Sequence, residues 1–246
     1  VLENVSGKGV GDPEWKMPRF FTCRGRRIEI RAGANGSIQG PVEERWGYTV
    51  PSVADWDGDG FLDLVVNSIF GDVVWYRNPG CRGTTELEPA RPVEVEWQGA
   101  QPARAWGWRK PQGKALLTQW RTTPCALDWT GDGLVDLVML DQEGYLALFE
   151  RFRDAAGVLR LKAPVRAFRW ADGRPMRLAT GWAGASGRRK ICFSDWNGDG
   201  RPDLIVNGHN ADLLVQVGAK DGAWHFENRG RLGARRLHNH TTAPTA

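Results

Sequence analysis

Several features that identify common protein classes are absent from this sequence. It has no run of about 18 apolar residues, so no membrane-spanning helix is expected. It has no long amphipathic helical pattern. It also lacks the phosphate-binding glycine loops, the Gly-x-Ser-x-Gly turn and the His-Glu-x-x-His motif found in large enzyme families. No nucleic-acid partner is expected, and the missing motifs leave open whether the chain is an enzyme.

Cysteine is scarce as well. The four cysteines, Cys23, Cys81, Cys125 and Cys192, show no metal-type pair spacing, so zinc is not expected. Cys125 and Cys192 stand at the same place before two copies of the motif described below. We interpret them as small apolar packing residues rather than as a disulfide. The cysteines therefore do not decide between an oxidising and a reducing compartment.

Glycine, proline and tryptophan are abundant. The 246 residues include 31 Gly, 14 Pro and 13 Trp. This composition favours short strands joined by turns. Because one motif repeats along the chain, we expect a single all-β domain rather than two unrelated domains.

The repeated motif occurs three times, beginning at Asp55, Asp128 and Asp195. Each copy reads Asp-Trp-x-Gly-Asp-Gly, then two variable residues, then Asp-Leu and an apolar run. Side-chain oxygens at loop positions 1, 3, 5 and 9, with a backbone carbonyl at position 7, can surround a hard cation such as Ca²⁺. A β-rich run follows the loop where an EF-hand would have a helix, so the motif predicts a calcium site on a β-hairpin.

Each copy offers five expected calcium ligands. Thr130 stands at position 3 of the second copy and supplies a weak neutral oxygen, so we expect that site to bind most weakly. The side-chain ligands are Asp55, Asp57, Asp59, Asp63, Asp128, Thr130, Asp132, Asp136, Asp195, Asn197, Asp199 and Asp203, and the carbonyl ligands belong to Phe61, Leu134 and Arg201.

The motif and its flanking strands resemble the FG-GAP/VCBS repeat, the calcium-binding blade unit of integrin-type β-propellers and of many secreted bacterial propellers. The resemblance covers most of residues 44–246. It implies a β-propeller of four-stranded antiparallel blades whose hairpin loops bind Ca²⁺. It also implies an extracellular or periplasmic location. Some members of the family are polysaccharide lyases, but the motif itself does not specify an activity.

The repeat predicts how the chain is divided. The apolar run after each last aspartate, such as Leu64-Val65-Val66, predicts a strand covered on both faces. We interpret Trp56, Trp129 and Trp196, at one repeat position, as blade-to-blade packing residues. The expected segments are a linker or upstream edge at 1–19, outer strands at 20–43, blades at 44–118, 119–187 and 188–237, and the first strand of a next blade at 238–246.

Charge and aromatic residues predict a ligand face. The formal charge is +4, but much of the acidic charge belongs to the proposed ligands, so the remaining surface is basic. In a propeller the face opposite the calcium hairpins is built from loops, and arginine there binds carboxylates or sulfates while aromatic rings stack on sugars. The expected ligand-binding residues are Arg45, Trp46, Tyr48, Trp120, Arg121, His209, His238 and His240.

Three functions remain open from the sequence. The first is recognition of an acidic polysaccharide, as a binding module of a polysaccharide-degrading protein. The second is a catalytic lyase or glycoside hydrolase on the same face, since Arg, His and Tyr are able to supply the charge and proton transfers of a uronate lyase. The third is an integrin-like module that binds a protein partner.

The ends of the chain suggest an incomplete propeller. The sequence begins with Val1 rather than Met, and the tail from His240 repeats the lead-in of the second copy. We therefore expect the chain to be part of a longer propeller, with exposed blade faces that favour association.

Overall fold

The computed structural model describes residues 1–6, 11–101, 110–179, 188–207 and 211–232. Within these residues the chain is all-β, with one short 3-10 turn at Pro41–Glu43 and no α-helix. None of the helical structure in these ranges is long and apolar enough to cross a membrane. The strands are β1 (Thr22–Cys23), β2 (Arg26–Arg27), β3 (Pro51–Ala54), β4 (Asp63–Asn67), β5 (Val73–Tyr76), β6 (Arg91–Pro92), β7 (Val95–Glu96), β8 (Cys125–Leu127), β9 (Asp136–Leu140), β10 (Leu146–Phe149), β11 (Arg151–Arg153), β12 (Leu159–Lys162), β13 (Phe168–Trp170), β14 (Ile191–Ser194), β15 (Asp203–Asn207), β16 (Ala211–Lys220) and β17 (Ala223–Arg231).

Three sheets follow the three copies of the motif. The first sheet has the order β3-β4-β5-β6, the second β8-β9-β10, and the third β14-β15-β16-β17-β13. In each sheet the aspartate loop joins the first two strands, which are antiparallel. The expected hairpin at each motif is therefore confirmed. None of the sheets formed by the described residues closes on itself.

Four antiparallel strands per unit were expected, and the sheets depart from this in two places. The second sheet has three strands, because β12 pairs instead with β11 and, in parallel, with β7. The third sheet has β14 to β17 antiparallel, and β13 adds to it in parallel with β17. In both cases a strand of one unit pairs in parallel with a strand of the following unit, β7 with β12 and β13 with β17. The sequence analysis did not anticipate these parallel links.

The second strand of each sheet is the most buried. All residues of β4 and β9 are buried, and so are all but the last residue of β15. The apolar run without alternation produces this pattern, because a sheet covered on both faces has no solvent side. The prediction of strands buried on both faces is confirmed.

A hydrophobic core lies between each pair of neighbouring sheets. Val65 of the first sheet shares a cluster with Leu137 of the second, and Val138 of the second shares a cluster with Leu204 of the third. Alternate residues of β9, the second strand of the middle sheet, therefore pack towards the first sheet and towards the third sheet. Burying each such side chain contributes about 1.5–3 kcal/mol. The order of the motif copies in the sequence is thus the order of the sheets in space.

The three repeated tryptophans have different surroundings. Trp56 is 3% exposed in the core between the first and second sheets. Trp129 lies 4.8 Å from Phe193 and 5.0 Å from Phe168, measured between ring centroids. Trp196 is 53% exposed. The packing interpretation holds for Trp56 and Trp129 but is wrong for Trp196, because no described sheet covers the outer face of the third sheet at that ring.

The amino-terminal residues are more regular than a linker. The backbone amide of Val5 donates to the Glu14 carbonyl at 2.9 Å, and an isolated bridge joins Asn4 to Trp15. Further along, the Thr22 amide donates to the Thr85 carbonyl at 2.7 Å, which attaches β1 to the first unit. Residues 20–40 therefore lie against the first sheet.

Candidate functional site

The three aspartate loops share one backbone geometry. The first glycine of each loop, Gly58, Gly131 and Gly198, has φ 75°, a left-handed conformation that glycine adopts without steric cost. The first aspartate then accepts hydrogen bonds from backbone amides within its own loop. The amides of Gly60, Gly133 and Gly200 donate to Asp55, Asp128 and Asp195, each at 2.9 Å.

The last aspartate of each loop connects the loop to a segment further along the chain. The Asp63 carboxylate is buried; its Oδ2 accepts from the Trp56 amide at 3.0 Å and its Oδ1 from the Asn78 amide at 2.7 Å. Asp136 accepts the corresponding bonds from the amides of Trp129 and Arg151. The amides of Trp196 and Gln216 donate in the same way to Asp203. This carboxylate therefore stabilises the hairpin through protein contacts alone, a role that the spacing of the motif did not indicate.

The first loop brings its carboxylates together. Oxygens of Asp55, Asp57 and Asp63 lie within 4.8 Å of one another. Burial raises the pKa of Asp63 to about 6, and the neighbouring charges of Asp57 and Asp59 add to the effect. Three hard oxygen donors with mutual repulsion fit Ca²⁺, which takes carboxylate ligands and relieves that repulsion.

The second and third loops lack such a cluster among the described residues. Their third positions hold Thr130 and Asn197 where the first loop has Asp57. In the third loop Asp199 forms an ion pair with Arg201 at 2.6 Å. That contact lowers the pKa of Asp199 to about 2. The second and third loops therefore offer a metal ion fewer carboxylate ligands than the first loop does. The difference lies at the third loop position, where they have Thr130 and Asn197.

Arg77 occupies the acidic side of the first loop. Its guanidinium forms ion pairs with Asp57 and Asp59, and with Glu88 at 3.2 Å. Asn78, which follows Arg77, donates its amide to the last aspartate of the first loop. Arg151 and Gln216 do the same in the second and third sheets. The positions equivalent to Arg77 are therefore Glu150 and Val215. Arg77 is thus a counter-ion from outside the loop, at a position where the other two sheets have no cation, and sequence reasoning did not identify it.

The opposite edge of the sheets holds the residues that precede each first strand. Tyr48, Arg121 and Arg188 stand at the same place in the three copies. Tyr48 and Arg121 have φ values of 48° and 59°, which are uncommon outside glycine. The Arg121 guanidinium carbon lies 3.7 Å from the centroid of the Tyr48 ring. Side chains from successive copies therefore stack on one another at this edge.

Arg121 is buried and paired with a carboxylate. Its side chain is 1% exposed, and it forms an ion pair with the fully buried Glu43. Glu43 also accepts hydrogen bonds from the Ser37 hydroxyl and the Gln39 amide. On the other side, Arg121 lies 4.2 Å from the Trp120 ring centroid. Nothing local in the sequence points to Glu43, because its partner is 78 residues away.

Two further cations lie near Arg121. The Arg188 guanidinium carbon is 5.1 Å from the centroid of the same Trp120 ring. Lys190 is partly buried, and this burial together with the charge of Arg121 lowers its pKa to about 8. Burial, followed by repulsion from Arg188, also lowers the pKa of Arg121. Glu43 therefore balances one charge in a cluster of three cations.

The predicted ligand residues divide into three groups. Arg45 is exposed, and Trp46 and Tyr48 are 38% and 40% exposed, with ring centroids 5.7 Å apart in an edge-to-face arrangement. Trp120 and Arg121 are buried, at 4% and 1% exposure, so they support the site from beneath rather than present an open surface. His209, His238 and His240 lie outside the described residues.

A groove adjoins the exposed aromatic pair. It has a volume of about 560 Å³, and its lining includes Asn67, Phe70, Asp72 and Lys110. The Asn67 side chain donates to the Tyr48 carbonyl at 3.0 Å. The groove therefore lies at the same edge of the first sheet as Tyr48, opposite the aspartate loop.

Comparisons with known proteins include a structural similarity. The chain matches no family model and no curated protein. Among solved structures it is similar to a lectin of Agrocybe aegerita whose structure is described as the basis of specific recognition of non-reducing terminal N-acetylglucosamine, with a TM-score of 0.39 and 15% identity. The similarity covers 82% of this chain and 43% of the lectin chain, so this chain spans less than half of the lectin's length. Neither the fold nor the ligand of the lectin is carried over to this chain.

Proposed function

We propose that this chain is a calcium-stabilised β-propeller module of the FG-GAP/VCBS type that binds an acidic carbohydrate outside the cell. The observation that carries the proposal is that acidic loops lie at one edge of the sheets, while cationic and aromatic side chains lie at the opposite edge. All three aspartate loops lie at one edge. Cations and aromatic rings gather at the other edge.

The propeller is supported by the way the sheets pack. The middle sheet presents alternate residues of its second strand to the first sheet and to the third sheet. Such stacking of repeats buries a continuous core that no single repeat could bury. Together with the motif, this arrangement favours blades that follow one another around an axis.

Calcium is supported by the donor set of the first loop. Asp55, Asp57 and Asp63 would hold the ion, and the Phe61 carbonyl stands at the position that supplies a backbone ligand in the motif. The ion supplies positive charge that offsets the repulsion among these carboxylates. Because all three aspartate loops lie at the edge opposite the aromatic rings, we assign Ca²⁺ a structural role.

The carbohydrate assignment is supported by the exposed aromatic rings and the groove. Trp46 and Tyr48 present apolar ring faces to solvent, and such faces stack on sugar rings. The groove at the same edge of the first sheet is lined by the rings of Phe70 and Tyr76 and by the polar groups of Asn67, Asp72 and Lys110. A concave surface with aromatic walls and a few polar groups is a common setting for small-ligand binding. The cations near Arg121 favour a sugar that carries acidic groups.

Glycan binding by the calcium-loaded chain tests this proposal. We expect acidic oligosaccharides to bind in calorimetry, and Trp46→Ala and Tyr48→Ala each to weaken binding about tenfold. Trp15→Ala is the matched control, because Trp15 is an exposed tryptophan, at 54%, in the amino-terminal segment. A control that weakens binding as much as the two site variants, or an array of acidic and neutral glycans with no response, would contradict the proposal.

A further inference from the structure

The cluster around Arg121 holds more positive than negative charge. The Arg121 side chain and the carboxylate of Glu43 form one ion pair, and both are buried. The guanidinium carbons of Arg188 and Arg121 both lie near the Trp120 ring, at 5.1 Å and 4.2 Å from its centroid. Lys190 is partly buried close enough to Arg121 for the two charges to repel. Arg188 is exposed and Lys190 partly buried, and within the part of the chain that the structure describes Glu43 is the one carboxylate paired with these three cations.

Several donors in the cluster have no partner. The Nε of Arg121 is buried and makes no hydrogen bond, and the same is true of the hydroxyl oxygens of Thr122 and Thr123. These two threonines follow Arg121 directly and are 0% and 3% exposed. Within the described ranges, the Nζ of Lys190 has neither a hydrogen bond nor an ion pair. Unsatisfied buried donors cost free energy unless a ligand or water meets them.

The walls of the cluster favour an oxyanion. Tyr48 and Trp120 cover the two sides of the Arg121 guanidinium, which excludes water and strengthens charge–charge interactions. A guanidinium presents paired N–H groups that match the oxygens of a carboxylate or sulfate. Arg121 itself is buried and paired with Glu43, so it contributes positive charge from beneath the exposed Arg188 and the partly buried Lys190.

We infer that Arg188 and Lys190, with the buried charge of Arg121 beneath them, form a binding site for one oxyanion, a carboxylate or sulfate group of the ligand. The inference rests on the proposed function, since it names the part of an acidic sugar that this edge recognises. The exposed rings of Trp46 and Tyr48 would contact the sugar to which the acidic group is attached.

The test measures binding of inorganic sulfate and of glucuronate to the full calcium-loaded chain. The variants are Lys190→Gln and Arg188→Gln, chosen because neither residue is fully buried. Arg174→Gln is the control, because it removes the same charge from a side chain that is 77% exposed. We expect each site variant to weaken anion binding by about tenfold or more, as loss of a charge-assisted hydrogen bond does, and the control to bind as the parent chain does.

A second measurement reports the site without relying on folding of the variants. In parent chain with methylated lysines, NMR titration should show that bound sulfate raises the pKa of Lys190 above its value of about 8. If sulfate and glucuronate leave this pKa and the melting temperature unchanged, or if the control loses as much affinity as the variants, the inference is overturned. Glycan binding that survives in Lys190→Gln and is not competed by sulfate would overturn the inference and leave the proposed function standing. Binding of sulfate without binding of any glycan would overturn the proposed function and leave the anion site standing.

Discussion

The Arg151 guanidinium lies 3.9 Å from the centroid of the Trp56 ring, and its Nη2 donates to the Trp56 carbonyl at 2.8 Å. Arg151 belongs to the second unit and Trp56 to the loop of the first. The contact is buried, since Arg151 is 6% exposed. One arginine therefore connects two units through both its charge and its hydrogen bond.

Replacing Arg151 should destabilise the chain. Arg151→Ala leaves the Trp56 carbonyl without its donor and opens a cavity over the indole ring, so we expect a loss of about 3 kcal/mol in the free energy of unfolding. Urea denaturation followed by tryptophan fluorescence measures the change. Arg153→Ala is the control, because Arg153 is exposed, and it should lose under about 0.5 kcal/mol. Equal losses in both variants would exclude a special role for the Trp56 contact.

The first aspartate loop should bind Ca²⁺ more tightly than the second. The first has a fourth carboxylate, Asp57, at the place of Thr130, and an added carboxylate ligand strengthens Ca²⁺ binding. Thr130→Asp should therefore tighten the weakest site in calorimetric titration. Asp57→Thr should weaken the tightest one. Three equal affinities in the parent chain would contradict this order.

Removing Arg77 should tighten calcium binding to the first loop. Arg77 forms ion pairs with Asp57 and Asp59, so it competes with the metal for the same oxygens. We expect Arg77→Gln to raise the affinity of this loop about three- to tenfold. Thermal melts with calcium and with a chelator give a second readout, because the variant should gain more stability from Ca²⁺ than the parent chain does. A variant with weaker calcium binding would show that Arg77 organises the loop instead.

Stability should rise with pH above the pKa of Lys190. Burial and Arg121 lower this pKa from 10.5 to about 8, so between these values the unfolded chain binds more protons than the folded chain. The free energy of unfolding then increases as pH rises from about 8 towards 10.5. Lys190→Met should remove this contribution. Urea unfolding at about pH 7.5 and about pH 9.5, compared between the two chains, measures it. Identical pH profiles would contradict the burial of Lys190.

Gly144 should not tolerate a side chain. Its φ is 85°, and a Cβ added there would stand 2.2 Å from the Ala179 carbonyl oxygen. Gly144→Ala should therefore cost the strain of a left-handed alanine, about 1–2 kcal/mol, and a further 1–3 kcal/mol for moving the backbone. Gly157→Ala is the matched control, since Gly157 has φ 79° and open space around it. The difference between the two variants in urea denaturation isolates the backbone contact.

Local sequence pattern was enough to predict the hairpins. The strand that follows each aspartate loop starts at Asp63, Asp136 and Asp203, as the motif indicates. The turn geometry comes from glycines and aspartates inside the loop itself, so no distant residue has to be known.

Features that depend on distant partners were not predictable from the sequence. Arg121 is a basic residue that its sequence context suggests is exposed, but it is buried because it forms an ion pair with the distant Glu43. The parallel pairing of β7 with β12 likewise depends on where two separate units meet. Trp196 has the same motif context as Trp56, yet its exposure differs because exposure depends on the neighbouring sheet.

The parallel links also have a consequence for synthesis on the ribosome. β7 of the first unit completes its pairing only with β12, and β13 only with β17. A newly made unit therefore emerges with one strand whose partner has not yet been translated, and that edge stays open while synthesis continues. Each unit is completed by the unit behind it, so the nascent chain folds in steps that trail translation by about one repeat.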